Sequence, residues 1–203
     1  VVLTTQFDPL FREYGGRVPV AFLRALGKRE SNLNPAEAKD PAWGLLQVIP
    51  SVRTSHNKRR GTSYSQGDLL DPEINVRIVT DLLNRIVTAY GKHPSANMQE
   101  DWTNPEFVNL ITAGWNSGYS EAAGVGHVAS WLEAHGIPVT HDAVFEYAGP
   151  AAGTRHLQND KKRSWQKTVT ELYFAQPDAG KAAGGLLALA VVGFFAWAAY
   201  RLL

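Results

Sequence analysis

Val18-Pro-Val-Ala-Phe-Leu-Arg-Ala-Leu-Gly-Lys-Arg-Glu30-Ser31 runs directly into Asn32-Leu-Asn-Pro35. Phe22, Leu23, Leu26 and Glu30 recur at spacings of three, four and seven, which places them on one face of an α-helix. The helix stops soon after Glu30, because Pro35 disfavours the helical region for the residue before it and the asparagines compete for helical backbone groups. Glu30 thus sits in the last turn and points toward the core side. A partly apolar surround and the negative end of the helix dipole both disfavour its anion and raise its pKa. A carboxyl that keeps its proton near neutral pH suits a glycosidic oxygen, which leaves poorly until it is protonated. The competing reading is a glutamate that merely reaches solvent from a helix end, as most glutamates do.

Downstream motifs bear on that choice. Trp43-Gly44-Leu45-Leu46-Gln47-Val48-Ile49-Pro50 begins thirteen residues after the acid, Asp71-Pro72-Glu73-Ile74-Asn75 opens a helix, and Gly114-Trp115-Asn116-Ser117-Gly118 comes later. Together with Glu30-Ser31 and Asn34-Pro35, this order and spacing over roughly residues 18 to 175 resembles the SLT-type soluble lytic transglycosylases, relatives of goose-type lysozyme.

The resemblance implies that Glu30 is the only catalytic acid/base. The implied reaction cuts the β-1,4 bond between N-acetylmuramic acid and N-acetylglucosamine in peptidoglycan and leaves a 1,6-anhydro ring. It implies substrate contacts from Ser31, Gly44, Leu45, Gln47, Trp115 and Asn116. Glycine admits close backbone approach, and the glutamine amide supplies a donor and an acceptor. Trp115 stands where the family usually has tyrosine, so stacking on a sugar is expected of it in place of a phenolic contact. The late motif is loose here, Trp165-Gln-Lys-Thr-Val169 with Tyr173 beyond, which leaves a tyrosine contact to the acid open. Glu37, Asp40, Asp68, Asp71 and Glu121 are the acids from which a second catalytic carboxylate could come. A muramidase of the same fold, and a non-catalytic glycan-binding or structural protein, therefore stay as alternatives.

The remaining chain predicts a mainly α domain over 1–175 with at most a small β element near 38–68. Ile74, Ile78, Leu82, Leu83, Ile86, Val87 and Tyr90 form one apolar stripe that ends at Gly91, and Asp71 with Pro72 reads as an N-cap and first helical residue. Further helices are expected at 104–115, 120–135, 140–147 and 160–175. Six scattered histidines and no cysteine predict neither a metal site nor a disulfide, and no cofactor is implied. The near-neutral charge, 20 basic against 19 acidic residues, argues against nucleic-acid binding. A short basic run, Arg53 to Arg60, reads as a solvated loop or a contact for anionic wall stems or lipid head groups.

From Ala182 to Tyr200 the chain carries no charge, and about 1.5 Å of rise per helical residue makes this run long enough to cross a bilayer. Residues 182–203 are therefore expected to form a membrane anchor, joined by a linker at 176–181. No secretory leader is recognisable at the start. Two settings reconcile an anchored wall-cutting domain with that pattern: a bacteriophage virion protein in an internal membrane, or a bacterial envelope enzyme whose leader has been removed.

Overall fold

The computed structural model describes residues 3–151 and 153–180. Among these residues eight α-helices dominate: α1 (Asp8–Tyr14), α2 (Val20–Ser31), α3 (Pro50–Arg60), α4 (Pro72–Tyr90), α5 (Pro105–Ser117), α6 (Val125–Ala134), α7 (His141–Tyr147) and α8 (Asp160–Phe174). One antiparallel hairpin of two short strands, β1 (Ala38–Lys39) and β2 (Ala42–Trp43), pairs Ala38 with Trp43 and Lys39 with Ala42 around a cis Asp40–Pro41 peptide. The expected mainly α class with one small β element holds.

Local chemistry sets the helix ends. Proline opens α3, α4 and α5, where its missing N–H has no intrahelical partner to lose. Asp71 caps α4 by accepting from the amide of Glu73 at 2.8 Å, and Asn104, Thr140 and Asn159 cap α5, α7 and α8 in the same way. At the far end of α2 the chain turns left-handed through Asn32 (φ 59°) and Leu33 (φ 61°), and the Leu33 amide closes on the Gly27 carbonyl at 3.0 Å. Glu30 is thereby held one residue from the helix end.

Packing converges on α5, which touches α4, α6, α7 and α8, while α8 also lies along α2. Gly114 is what lets α4 and α5 meet: a Cβ there would stand 2.3 Å from the Tyr90 hydroxyl, which donates to the Leu110 carbonyl. The glycine of Gly114-Trp115-Asn116 thus serves the helix crossing that sets where the next two side chains point. Trp102 packs against Phe22, Phe107 and Tyr173 with ring centroids 5.2, 5.3 and 6.4 Å away, joining α2, α5 and α8.

Residues 176–180, expected as linker, are docked on this body. Arg24 of α2 is buried and donates to Asp8 at 2.8 Å, to Gln176 at 2.5 Å and to Asp178 at 2.5 Å, and the Gln176 amide returns to the Ala21 carbonyl at 2.7 Å. The expected anchor, 182–203, lies outside the described residues. Among those described, no helix is long and apolar enough to cross a membrane.

The loop Gly44–Gln47 is held from the α4 side by one side chain. Fully buried Asn75, in the first turns of α4, accepts from the Leu46 amide at 2.8 Å and donates to the carbonyls of Trp43 and Leu69, both at 2.9 Å. Gly44 (φ 83°) passes so close that a Cβ would stand 2.0 Å from the Leu69 carbonyl oxygen. Leaving the Leu46 amide and the Leu69 carbonyl without a partner in a buried site is costly, while the Trp43 carbonyl keeps the Val48 amide at 2.9 Å. Asn75→Ala should lower unfolding free energy by about 3 kcal/mol in urea denaturation, and a loss under about 1 kcal/mol would refute this role.

Candidate active site

Glu30 lies on the wall of an open cavity of about 400 Å³ between the end of α2, the hairpin, α3, the end of α5 and α8. Gln47, Trp115 and Asn116 line the same cavity. The structure therefore brings together four of the seven expected site residues.

The Glu30 carboxyl is pushed up to about 7, chiefly by burial. Three groups oppose that rise: the Trp115 indole, whose Nε1–H donates to Glu30 Oε1 at 2.9 Å, and the charges of Arg29 and Lys39. The expectation that Trp115 offers only a stacking face is thus incomplete, because its ring nitrogen reaches the acid directly. An indole N–H donates and cannot accept. With Oε1 engaged as acceptor, the acid proton belongs on Oε2.

Gln47 has left-handed backbone (φ 50°) and a buried side chain whose Nε2 donates to the Gly44 carbonyl at 2.8 Å and the Glu37 carbonyl at 3.2 Å. Two carbonyl partners fix the amide nitrogen inward and leave Oε1 as its acceptor. The expected donor-and-acceptor role is therefore reduced to acceptance. Asn116 is oriented the opposite way: its Oδ1 accepts from Gln166 Nε2 and Ser117 Oγ, both at 3.3 Å, and its Nδ2 has no protein acceptor among the described residues. Gln166 is itself set by His141, whose Nε2 stands 2.7 Å from Gln166 Oε1.

The other three expected contacts face inward. Ser31 is buried, and its hydroxyl donates to the Leu45 carbonyl at 2.7 Å and accepts from the Asn34 amide at 3.0 Å, tying α2 to the loop. The Leu45 side chain is fully buried in the core. Gly44 is shaped by its contact with Asn75 and Leu69, which meets its backbone from inside. These residues build the cavity wall, and their side chains do not line it.

Sequence reasoning missed Arg29, Lys39, Ile49 and Val52 as lining residues, and Trp165 lines the cavity where only a loose motif was read. The Arg29 guanidinium lies 5.8 Å from the Trp165 ring centroid. Tyr173 does not approach Glu30: it is buried, donates to the Trp102 carbonyl at 3.0 Å and accepts from the Gly180 amide at 2.8 Å. Of the candidate second carboxylates, Asp71 is the α4 cap, Asp68 binds Ser65, Glu121 stands beside His93 and Glu37 pairs with Lys39. Neither these nor Asp40 lines the cavity. Among the described residues no group of three or more metal-ligating side chains is assembled.

A single shielded carboxyl on the wall of an open cleft, carried by a mainly helical body with one small hairpin, defines a domain of the lysozyme-like class. Residues 11–136 match the transglycosylase SLT domain family, and the chain belongs to it. The soluble lytic murein transglycosylase of Escherichia coli K12 is 34% identical over 93 residues, which are 43% of this chain and 14% of that protein. The chain thus corresponds to a small part of that relative's length. The fold is similar to the crystal structure of the 70 kDa soluble lytic transglycosylase from Escherichia coli, with a TM-score of 0.59 and 23% identity over 85% of this chain and 25% of that one. It is also similar to an inactive mutant of the lytic transglycosylase Slt from Pseudomonas aeruginosa, with a TM-score of 0.59 and 17% identity over 89% of this chain and 26% of that one.

Because Glu30 binds its proton more tightly in the folded chain, its contribution to stability is fully present below about pH 4.5 and is lost as pH rises to about 7. Trp115→Phe removes the donor that favours the anion. An NMR titration should place the Glu30 midpoint near 7 in the wild type and higher in Trp115→Phe. An unchanged or lower midpoint in the variant would show that the indole bond does not tune the acid.

Proposed function

We propose that the domain is a peptidoglycan lytic transglycosylase in which Glu30 serves first as acid and then as base. The observation that carries this reading is the lone cavity carboxyl, raised to about 7, with no second carboxylate lining the same space among the described residues. A glycosidase built on two carboxylates places them about 5 to 9.5 Å apart across the scissile bond, whereas a substrate-assisted enzyme needs one.

The cavity's polar groups support an acetamido sugar as ligand. Gln47 Oε1 offers an acceptor for an N–H, and Asn116 Nδ2 offers a donor for a C=O. In the proposed reaction Glu30 gives its Oε2 proton to the glycosidic oxygen as the bond from that oxygen to the anomeric carbon of the muramic sugar breaks. The sugar's own acetamido oxygen supports the positive centre. Glu30, now a carboxylate stabilised by the Trp115 N–H, takes the proton of the C6 hydroxyl while that oxygen bonds to the anomeric carbon. The 1,6-anhydro ring closes, the acid is restored and no water is consumed.

Digestion of purified sacculi followed by mass spectrometry tests the reading. The wild type should release anhydro-ended fragments, and Glu30→Gln should lower the rate about 10³-fold, within the range typical of removing a general acid or base. Products one water heavier would identify a muramidase, and a wild type as inert as Glu30→Gln would identify a glycan-binding or structural module.

We further propose that the uncharged run from Ala182 to Tyr200 attaches the domain to a lipid bilayer, in a phage internal membrane or a bacterial envelope. The length and apolar character of the run support this. The full chain should partition with membranes and float with vesicles, and a chain ending at Gly180 should remain in the aqueous fraction. Equal partitioning of both would exclude the anchor.

A further inference from the structure

Three depressions follow one another along α3. The Glu30 cavity shares Val52 with a second, of about 170 Å³, which in turn shares His56 and Arg85 with a third of about 460 Å³. The third is larger than the space at Glu30 and differs in charge. Arg60, Arg77 and Arg85 line it against Asp81 alone.

The ion pairs there do not balance. Asp81 Oδ1 accepts from Arg60 at 2.6 Å, its Oδ2 accepts from Arg59, and the same oxygen lies 3.1 Å from His56 Nδ1, so one buried carboxylate answers two guanidiniums. Arg77 pairs with Glu73 at 2.7 Å. Half-buried Arg85 donates to the Tyr119 hydroxyl at 2.5 Å and lies 5.7 Å from that ring's centroid, with no carboxylate partner among the described residues. Arg85 is the guanidinium of this group left without a carboxylate partner among the described residues, and it stands at the junction of the second and third depressions. A partly desolvated cation costs free energy unless an anion answers it.

We infer that these two depressions form an oxyanion subsite, centred on Arg85, for the carboxylates of peptide branches on the glycan strand that occupies the Glu30 cavity. The inference rests on reading the Glu30 cavity as a peptidoglycan site. Continuity of the three depressions makes the anion part of the same polymer. From Val52 to Arg60 the helix advances about 12 Å, the span of about three or four extended peptide residues.

The test uses the full chain with Arg85→Gln and Arg85→Lys, on peptide-bearing glycan strands and on strands stripped of peptide by an amidase. Arg85→Gln should raise the ratio of KM for peptide-bearing over stripped strands roughly fivefold with little change in kcat, and Arg85→Lys should restore most of it. In calorimetry, a short branch-type peptide with free carboxylates should bind the wild type more tightly than its fully amidated form, and Arg85→Gln should abolish that preference. Equal KM changes on both strands, or no change on either, would overturn the subsite, as would equal binding of acid and amide. Arg85-dependent pelleting with anionic phospholipid vesicles, alongside an unchanged KM ratio, would also overturn it in favour of a lipid surface. A wild type inert on both strands that still binds the acid through Arg85 would refute cleavage while upholding the subsite.

Discussion

The hydrogen bonds of Asn75 are the constraint on which the cavity depends. One amide group, fully buried near the start of α4, holds the Leu46 amide and the carbonyls of Trp43 and Leu69 at once. The loop it holds is also closed on itself, since Trp43 and Val48 exchange backbone hydrogen bonds at 3.0 and 2.9 Å. From the opposite side Ser31 fastens the same loop to the last turn of α2 through the Leu45 carbonyl. Glu30 precedes Ser31, and Gln47 ends the loop. The separation between acid and acceptor across the cavity is therefore fixed by two inward-facing polar residues, neither of which needs to touch a ligand.

That rigidity matters because the acid is tuned by opposing effects of similar kind. Burial alone favours a neutral Glu30, whereas the indole N–H, Arg29 and Lys39 favour the anion. A single group that must give a proton and later take one back gains from a balance near 7, where neither form is strongly preferred. The Trp115 contact has a second consequence, since a donor-only partner assigns the two carboxyl oxygens separate tasks. A hydroxyl at that position could rotate and accept a proton in return, which an indole cannot do. Trp115 owes its placement to Gly114, without which α5 could not lie so close to Tyr90.

Most of the fold was legible in the sequence because its signals are local. Proline at helix starts, Asp71 before Pro72 and the apolar stripe from Ile74 to Tyr90 each specify an element without reference to distant residues. Where backbone turn geometry or packing between elements decides, the reading fell short. The expected helix at 120–135 begins only at Val125, because Gly124 and Val125 bond back to Ser120 and Gly118 in a compact turn. The site was half legible for a related reason. Motif spacing marks residues under joint constraint, and it does not separate those that line a cavity from those that brace it. Leu45 and Ser31 brace, Gln47 and Asn116 line, and nothing in the order of residues distinguishes them. Trp165 and Arg29 meet only because α8 lies along α2, and Arg85 stands out only once no carboxylate is found beside it among the described residues.

The docked turn at 176–180 connects the proposed catalytic site to the proposed membrane attachment. Arg24 and Glu30 share α2, so the ion pairs and hydrogen bonds that bind Asp8, Gln176 and Asp178 to Arg24 fix this turn to the helix that carries the acid. A buried guanidinium shared among such partners is expensive to expose, since removing one leaves charge uncompensated at about 3–5 kcal/mol. The Gly180 amide is further held by the Tyr173 hydroxyl. In the proposed membrane-attached protein, residues 176–180 would therefore move with the domain as one body.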